Sequence, residues 1–157
     1  MASEPMELRR AVAADAAAIR ELTREAYAKW VPVIGREPKP MAADYAEALR
    51  KNRFDLLFAE GKLAALIETI AQEDCLLIEN VAVSPPWQRQ GLGRKLIAHA
   101  EGLAASLGYR EIRLYTNKLF AENLALYRKL GYRVDSEEPF RGGWRVNMSK
   151  PVGPQSG

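Results

Sequence analysis

Residues 78–132 read IENVAVSPPWQRQGLGRKLIAHAEGLAASLGYREIRLYTNKLFAENLALYRKLGY, and this stretch decides the fold. An apolar strand, Cys75 to Val83, is ended by Ser84-Pro85-Pro86, because proline cannot continue a central ladder. A basic, glycine-punctuated turn follows, Gln88-Arg89-Gln90-Gly91-Leu92-Gly93-Arg94, and a long amphipathic helix comes after it. A strand running through such a turn into a helix builds an anion site. Backbone N–H groups point out of the helix start, and the glycines let a phosphate approach closely. Arg89, Arg94 and Lys95 place positive charge where a pyrophosphate would lie. The chain is therefore expected to bind a phosphorylated cofactor.

Three phosphate-binding patterns compete for the turn. A P-loop needs Lys and Ser or Thr after its second glycine, but the Gly61-Lys62 pair is followed by Leu63. A dinucleotide fingerprint needs a third glycine where Leu96 stands. What remains is Q-R-Q-G-L-G, polar donors and glycines combined at a helix start.

Outward from this stretch, Glu7 to Val12 reads as a first strand, with Asp15 as N-cap of a helix whose Ile19, Leu22, Ala26 and Trp30 share a face. Val31 to Pro40, with three prolines and a glycine, reads as a loop, and Ala42 to Lys51 as a second helix. Phe54 to Ala59 and Leu63 to Ala71 are strands joined by a tight turn at Glu60-Gly61-Lys62. Leu92, Leu96, Ala100, Leu103 and Leu107 form one stripe of the helix Gly91 to Leu107, which Gly108 stops. Glu111 to Thr116 is a strand and Ala121 to Leu130 a helix. Tyr132 to Asp135 and Arg145 to Met148 are a closing strand pair, with Glu137-Glu138 in a solvated turn. The order is β-α-α-β-β-β-α-β-α-β-β. Hairpin-sized connections before a helical crossover imply an α/β fold with a mixed, mostly antiparallel central sheet flanked by helices. Residues 1–150 read as a single domain and 151–157 as a disordered tail.

Composition bounds the function. The chain has 157 residues, 48% hydrophobic and 27% charged, ordinary values for a globular domain. No apolar run approaches the roughly 18 residues of a membrane span, and MASEPMELRR carries no secretory h-region. Cys75 is the single cysteine, so a cytoplasmic protein is expected. A net charge of +3, spread along the chain, gives no case for nucleic acid. His99 is the single histidine, which argues against a His-based metal site or a Ser-His-Asp triad.

The turn and the later helix together resemble the GNAT family of N-acetyltransferases. That family carries a Q/R-x-x-G-x-G/A turn after its fourth strand, matched here by Gln88, Gly91 and Gly93. It also places an Asn and a Tyr on a later helix, followed by a Gly and an aromatic residue. Asn123, Tyr127, Lys129, Gly131 and Tyr132 match that pattern. The likeness is detailed over Leu76 to Val134, and the order of elements extends it to most of the chain. It implies the GNAT-type fold and acetyl-CoA as cosubstrate, with transfer of the acetyl group to a primary amine of a small molecule or peptide by direct attack.

The resemblance also assigns roles. Backbone N–H groups across Arg89, Gln90, Gly91, Leu92, Gly93 and Arg94, with Lys95 nearby, cradle the pyrophosphate. Val81, Ala82 and Val83 offer the strand along which the pantetheine arm pairs, and an amide to polarise the thioester. Asn80 and Asn117 either contact cofactor or face solvent. Asn123 contacts cofactor and Tyr127, four residues on and on the same helix face, is the general acid. With a thiol near 8.5 and a phenol near 10, proton donation is feasible but weakly driven. Glu79 is the general-base candidate, because an acidic residue in an apolar strand is expensive unless used or paired. The other readings of Glu79 are a carboxylate paired with an Arg, with Tyr27, Tyr45 or a water chain serving as base.

The acceptor is expected against Tyr27 to Tyr45, with Tyr27, Trp30, Arg36 and Tyr45 as its contacts and Lys39 and Met41 in reach. Arg36, Lys39 and Arg141 suit an acceptor bearing a carboxylate or phosphate. The alternatives are a non-catalytic acyl-CoA sensing module and a protein lysine or N-terminal acetyltransferase. The family also makes a homodimer an expectation.

Overall fold

The computed structural model describes residues 6–153. Strands β1 (Met6–Arg10), β2 (Arg53–Ala59), β3 (Lys62–Ala71), β4 (Leu76–Val83), β5 (Glu111–Asn117), β6 (Arg133–Phe140) and β7 (Gly143–Pro151) form one sheet, ordered β1-β2-β3-β4-β5-β7-β6. The pairs β1–β2, β2–β3, β5–β7 and β6–β7 are antiparallel, and β4–β5 is parallel. The helices are α1 (Ala16–Tyr27), α2 (Val31–Ile34), α3 (Lys39–Ala42), α4 (Tyr45–Lys51), α5 (Leu92–Ser106) and α6 (Ala121–Lys129). The mixed, mostly antiparallel sheet flanked by helices is the one expected, with two short helices added to the order. Among the described residues, no helix is long and apolar enough to cross a membrane.

The chain forms two compact units. One comprises residues up to Thr69 together with Asn80–Ile97; the other comprises Ile70–Glu79 together with the residues from Ala98 on. The first is built on a core of Ile19, Leu22 and Ala26 from α1, Tyr45 from α4, Phe54 and Leu56 from β2, Leu66 from β3 and Ala82 from β4. Ile19, Leu56 and Leu66 are fully buried, each stabilising the fold by about 1.5–3 kcal/mol relative to exposure. The expected helical face is therefore real, and Thr23 joins it. Glu60 and Gly61, at φ +53° and +75°, make the expected tight turn between β2 and β3.

Three local expectations in this unit are corrected. Asp15 occupies the expected N-cap position of α1, but its side chain makes no capping bond to the helix. Its carboxylate accepts from the Val12 N–H at 2.8 Å and is held by Arg9 through two bonds of 3.0 Å, closing a 3-10 turn ahead of the helix. The segment from Val31 to Pro40 is also more than a loop. Pro32 and Pro40 sit in the first turns of α2 and α3, where a missing N–H leaves no bond unmade. The second expected helix starts at Tyr45, because the Asp44 side chain accepts the Glu47 N–H at 3.1 Å.

In the second unit, β4 pairs with β5 from Leu76↔Ile112 to Ile78↔Leu114. The closing pair is longer than expected, running from Arg133 to Pro151 around a turn at Arg141-Gly142. Glu137 and Glu138 lie within β6, where they pair with Lys118 and Arg145, and so do not form a turn. The long helix α5 buries Leu92, Leu96, Ile97, Ala100 and Ala104, whereas Leu107, expected on that stripe, is 56% exposed. Pro151 ends β7 and the Val152 N–H donates to the Arg110 carbonyl at 2.9 Å. The expected tail otherwise lies outside the described residues.

Candidate active site

The first unit holds the glycine-punctuated turn expected to bind an anion. Along β4, Asn80 and Ala82 are buried and alternate with half-buried Val81 and Val83. A 3-10 turn, Pro85–Trp87, leads into the basic turn. Gln88 then reaches back, its Nε2 donating to the Val83 carbonyl at 2.9 Å, while Lys29 Nζ donates to Gln88 Oε1 at 3.3 Å. Gln90 Nε2 donates to the Pro86 carbonyl at 3.1 Å. The backbone is left-handed at Arg89 and Gly91, φ +65° and +82°. The Gly91 carbonyl accepts the Lys95 N–H at 3.0 Å and opens α5. A helix starting there leaves the N–H groups of its first turn without intrahelical acceptors, and the dipole favours an anion beside them. A Cβ on Gly91 would meet nothing within 4 Å, and one on Gly93 only Val83 Cγ2 at 3.9 Å. The turn is thus open on its outer side, and Arg89, Gln90, Arg94 and Lys95 are exposed around it. Ala82 and Leu92 are 2% and 3% exposed, so only their backbones are available to a ligand.

Tyr27 ends α1 with its hydroxyl donating to Asn80 Oδ1 at 2.6 Å, 3.3 Å from the Val81 carbonyl oxygen. Asn80 Nδ2 is buried with no hydrogen-bond partner among the described residues. A buried orphan donor costs about 1–3 kcal/mol, which a carbonyl of a bound ligand would relieve. Trp30 is buried beneath Lys29, whose Nζ stands 5.2 Å from the ring centre. Arg36 is exposed on the segment between α2 and α3. Arg24 pins that segment, donating to the Met41 carbonyl at 2.7 Å and to Glu37 at 2.8 Å. Tyr45 is a core residue. It is 3% exposed, edge-on to Phe54, and its hydroxyl donates to the Pro40 carbonyl at 2.6 Å. It has no exposed face with which to contact an acceptor.

The second unit holds Glu79 and Tyr127, the residues expected to act as base and acid. Glu79 Oε1 accepts from the hydroxyl of Tyr115 on β5. The Tyr115 ring lies edge-on to Phe140 at 6.3 Å, and the Arg145 guanidinium sits 4.6 Å over it and 5.2 Å over Phe140. Arg145 is in turn paired with Glu138. Sequence reasoning missed Tyr115 and the cluster behind it. The one signal was register: Tyr115 follows Leu114 as Glu79 follows Ile78, and Ile78 and Leu114 are partners.

Asn117 uses its Oδ1 to accept the Leu119 N–H at 2.9 Å, so its side chain shapes the turn into α6. Asn123 is half-buried on α6, one turn before Tyr127. Burial of the Tyr127 phenol pushes it up to about 12. Its ring packs edge-on to Tyr132 at 6.2 Å. Tyr132 is raised further, first by burial and then by Glu101, whose Oε2 accepts its hydroxyl at 2.8 Å. Lys150 closes this cluster, 3.2 Å from both Glu101 oxygens. Tyr127 therefore stays protonated through any physiological pH, as a hydrogen-bond donor must.

Residues 16–132 match the family model described as Acetyltransferase (GNAT) family. The chain belongs to that family, which the Q-R-Q-G-L-G turn and the Asn123–Tyr132 pattern had indicated. A ribosomal protein bS18-alanine N-acetyltransferase of Escherichia coli (strain K12) is 37% identical over 76 residues, 48% of this chain and 51% of that protein. The chain thus spans about half the length of the curated relatives it matches. The crystal structure of the ribosomal-protein-S18-alanine N-acetyltransferase from Escherichia coli superposes with a TM-score of 0.79 at 23% identity, covering 97% of each chain. The PaiA N-acetyltransferase from Thermoplasma acidophilum, solved with coenzyme A, has a TM-score of 0.81 at 20% identity, covering 94% of this chain and 99% of that one. These two structures share the fold.

Proposed function

We propose that this protein is an acetyl-CoA-dependent N-acetyltransferase that transfers the acetyl group directly to a primary amine, in the cytoplasm. The observation that carries this reading is the junction of β4 and α5. There, in a chain of the GNAT family, a basic Q-R-Q-G-L-G turn is latched by Gln88 to Val83 and opens a 15-residue helix. Among amines, the α-amino group of a polypeptide is the first acceptor class, because the matched Escherichia coli relative is named for an alanine of a ribosomal protein.

In this reading the turn from Arg89 to Lys95 binds the diphosphate, and Asn80 to Val83 receive the pantetheine arm and the acetyl carbonyl. Asn123 contacts cofactor, with Asn117 beside it. Tyr27, Trp30 and Arg36 border the acceptor. Glu79 takes a proton from the acceptor ammonium, directly or through water, and releases it to solvent. The amine lone pair attacks the thioester carbonyl carbon, the C–N bond forms, the C–S bond breaks, and the nitrogen gives up its second proton to solvent as the neutral amide forms. Tyr127 donates a hydrogen bond to the leaving sulfur. A phenol near 12 does not readily protonate a thiolate of ordinary pKa about 8.5. Tyr127 thus stabilises the thiolate, and solvent supplies the thiol's proton.

The test is acetyl-CoA-dependent thiol release with pooled acceptors: short peptides, amino acids, polyamines and aminoglycosides. Release above the no-acceptor blank is expected with peptides bearing a free α-amine. Silence in every pool, with acetyl-CoA still raising the melting temperature, would replace the enzyme with an acyl-CoA sensor.

A further inference from the structure

Glutamate has three side-chain torsions, and holding one arrangement costs up to about 1.5–2 kcal/mol of rotamer entropy. A base works at its full rate only when its oxygen is already aimed at the proton it takes. In the second unit something aims it. The Tyr115 hydroxyl donates to Glu79 Oε1. The Tyr115 ring is itself immobilised, with the Phe140 ring against it at 6.3 Å and the Arg145 guanidinium 4.6 Å over its face. Arg145 is held from the neighbouring strand by Glu138. The support thus runs through four strands: Glu138 on β6, Arg145 on β7, Tyr115 on β5 and Glu79 on β4. Ile112, Leu114 and Thr116 alternate with Tyr115 and are buried, while Tyr115 is half-buried on the opposite face. Nothing in the packing of β5 therefore requires a hydroxyl at this position. A phenylalanine would keep the contacts of the ring with Phe140 and Arg145 and lose the bond to Glu79.

We propose that Tyr115 is a positioning residue for the acetyl transfer, fixing through its hydroxyl the orientation of the Glu79 carboxylate that takes the acceptor's proton. The inference rests on Glu79 being the base. Arg145 and Phe140 hold the Tyr115 ring and act through it.

The experiment is a double-mutant cycle on the full chain, using acetyl-CoA and the acceptor that wild type turns over. The three variants are Tyr115→Phe, Glu79→Gln and the pair. Loss of a hydrogen bond to a charged group, about 1.5–3 kcal/mol, predicts a kcat lower by about ten- to hundredfold in Tyr115→Phe. KM for both substrates should stay within about twofold, because the bond orients the base and holds neither substrate. Glu79→Gln is expected to lose about a hundredfold or more, and the double variant to be no slower than Glu79→Gln alone. In crystals, Glu79 should hold one rotamer in wild type and several in Tyr115→Phe. A Tyr115→Phe enzyme at wild-type kcat beside a slow Glu79→Gln overturns the positioning role and leaves the base intact. Additive losses in the double variant overturn it too, since they assign Tyr115 a role apart from Glu79. A Glu79→Gln enzyme at full speed removes the base itself, and this inference with it.

Discussion

The side-chain amide of Gln88 donates to the backbone carbonyl of Val83, five residues earlier, at 2.9 Å. This bond folds the proline-broken end of β4 back on itself and sets where the turn before α5 begins. Gln88 is also the residue that Lys29 reaches from beyond the end of α1, at 3.3 Å. The turn's shape is thus fixed by side chains as well as by its glycines.

Removing the latch should loosen the cradle without unfolding the domain. A net hydrogen bond of about 0.5–1.5 kcal/mol predicts a Kd for CoA raised about three- to tenfold in Gln88→Leu. Titration calorimetry checks this, with unfolding curves to show that the variant remains folded.

The two glycines of the turn should separate stability from binding. Gly91 has φ +82°, where an alanine costs about 1–2 kcal/mol, so Gly91→Ala should lower the melting temperature. At Gly93 a Cβ would make only an ordinary contact, 3.9 Å from Val83. Gly93→Ala should therefore melt like wild type and yet bind CoA more weakly if, as proposed, this turn receives the diphosphate, since the added methyl group would crowd it. Thermal melts with and without CoA read both effects.

Alkaline titration tests the buried tyrosines. Tyr127 has a folded pKa of about 12 against an ordinary 10.0, and Tyr132 is also raised. A raised pKa means the folded state holds the proton more tightly. The resulting stability is complete below pH 10 and is lost as pH climbs toward 12. Denaturant unfolding at pH 9 and pH 11 should show that loss in wild type and a smaller one in Tyr127→Phe. For catalysis, Tyr127→Phe should lower kcat by about ten- to hundredfold, the worth of a hydrogen bond to a developing thiolate, and leave its pH profile below 10 unchanged.

Arg24 should govern the acceptor side alone. It holds the segment ahead of α3 through the Met41 carbonyl and Glu37. Arg24→Met frees that segment, so KM for the acceptor is expected to rise several-fold while the Kd for CoA stays as in wild type. A KM for the acceptor equal to that of wild type would detach this segment from acceptor binding.

The parts of this fold that were legible in the sequence are those written locally. Ser84-Pro85-Pro86 ends a strand, Gly91 opens a helix, Gly108 closes it, and apolar runs mark β2, β3 and β4. The closing pair was misjudged because β6 is an edge strand exposed along most of its length. Asp135 to Glu138 carry no apolar alternation, Pro139 is tolerated at an edge, and a register shift between Val134 and Ser136 breaks the pattern further. The proline-rich stretch misled because its prolines start helices there. At the site, the turn and Tyr127 were readable as motifs. The bonds Tyr115–Glu79 and Lys29–Gln88 were not, since they join residues 36 and 59 positions apart. Tyr45 looked available because a tyrosine at a helix start gives no sign that its hydroxyl is spent on the carbonyl of Pro40.

The central claim is direct transfer from acetyl-CoA to an amine, and mass spectrometry of both protein and acceptor tests it most directly. The protein is incubated with acetyl-CoA alone, and then with acetyl-CoA and peptides bearing a free α-amine. The account predicts an unmodified protein in the first sample and one acetyl group on the peptide α-amine in the second. A stoichiometrically acetylated protein that passes its acetyl group on, or an acceptor left unmodified while acetyl-CoA binds, would contradict it.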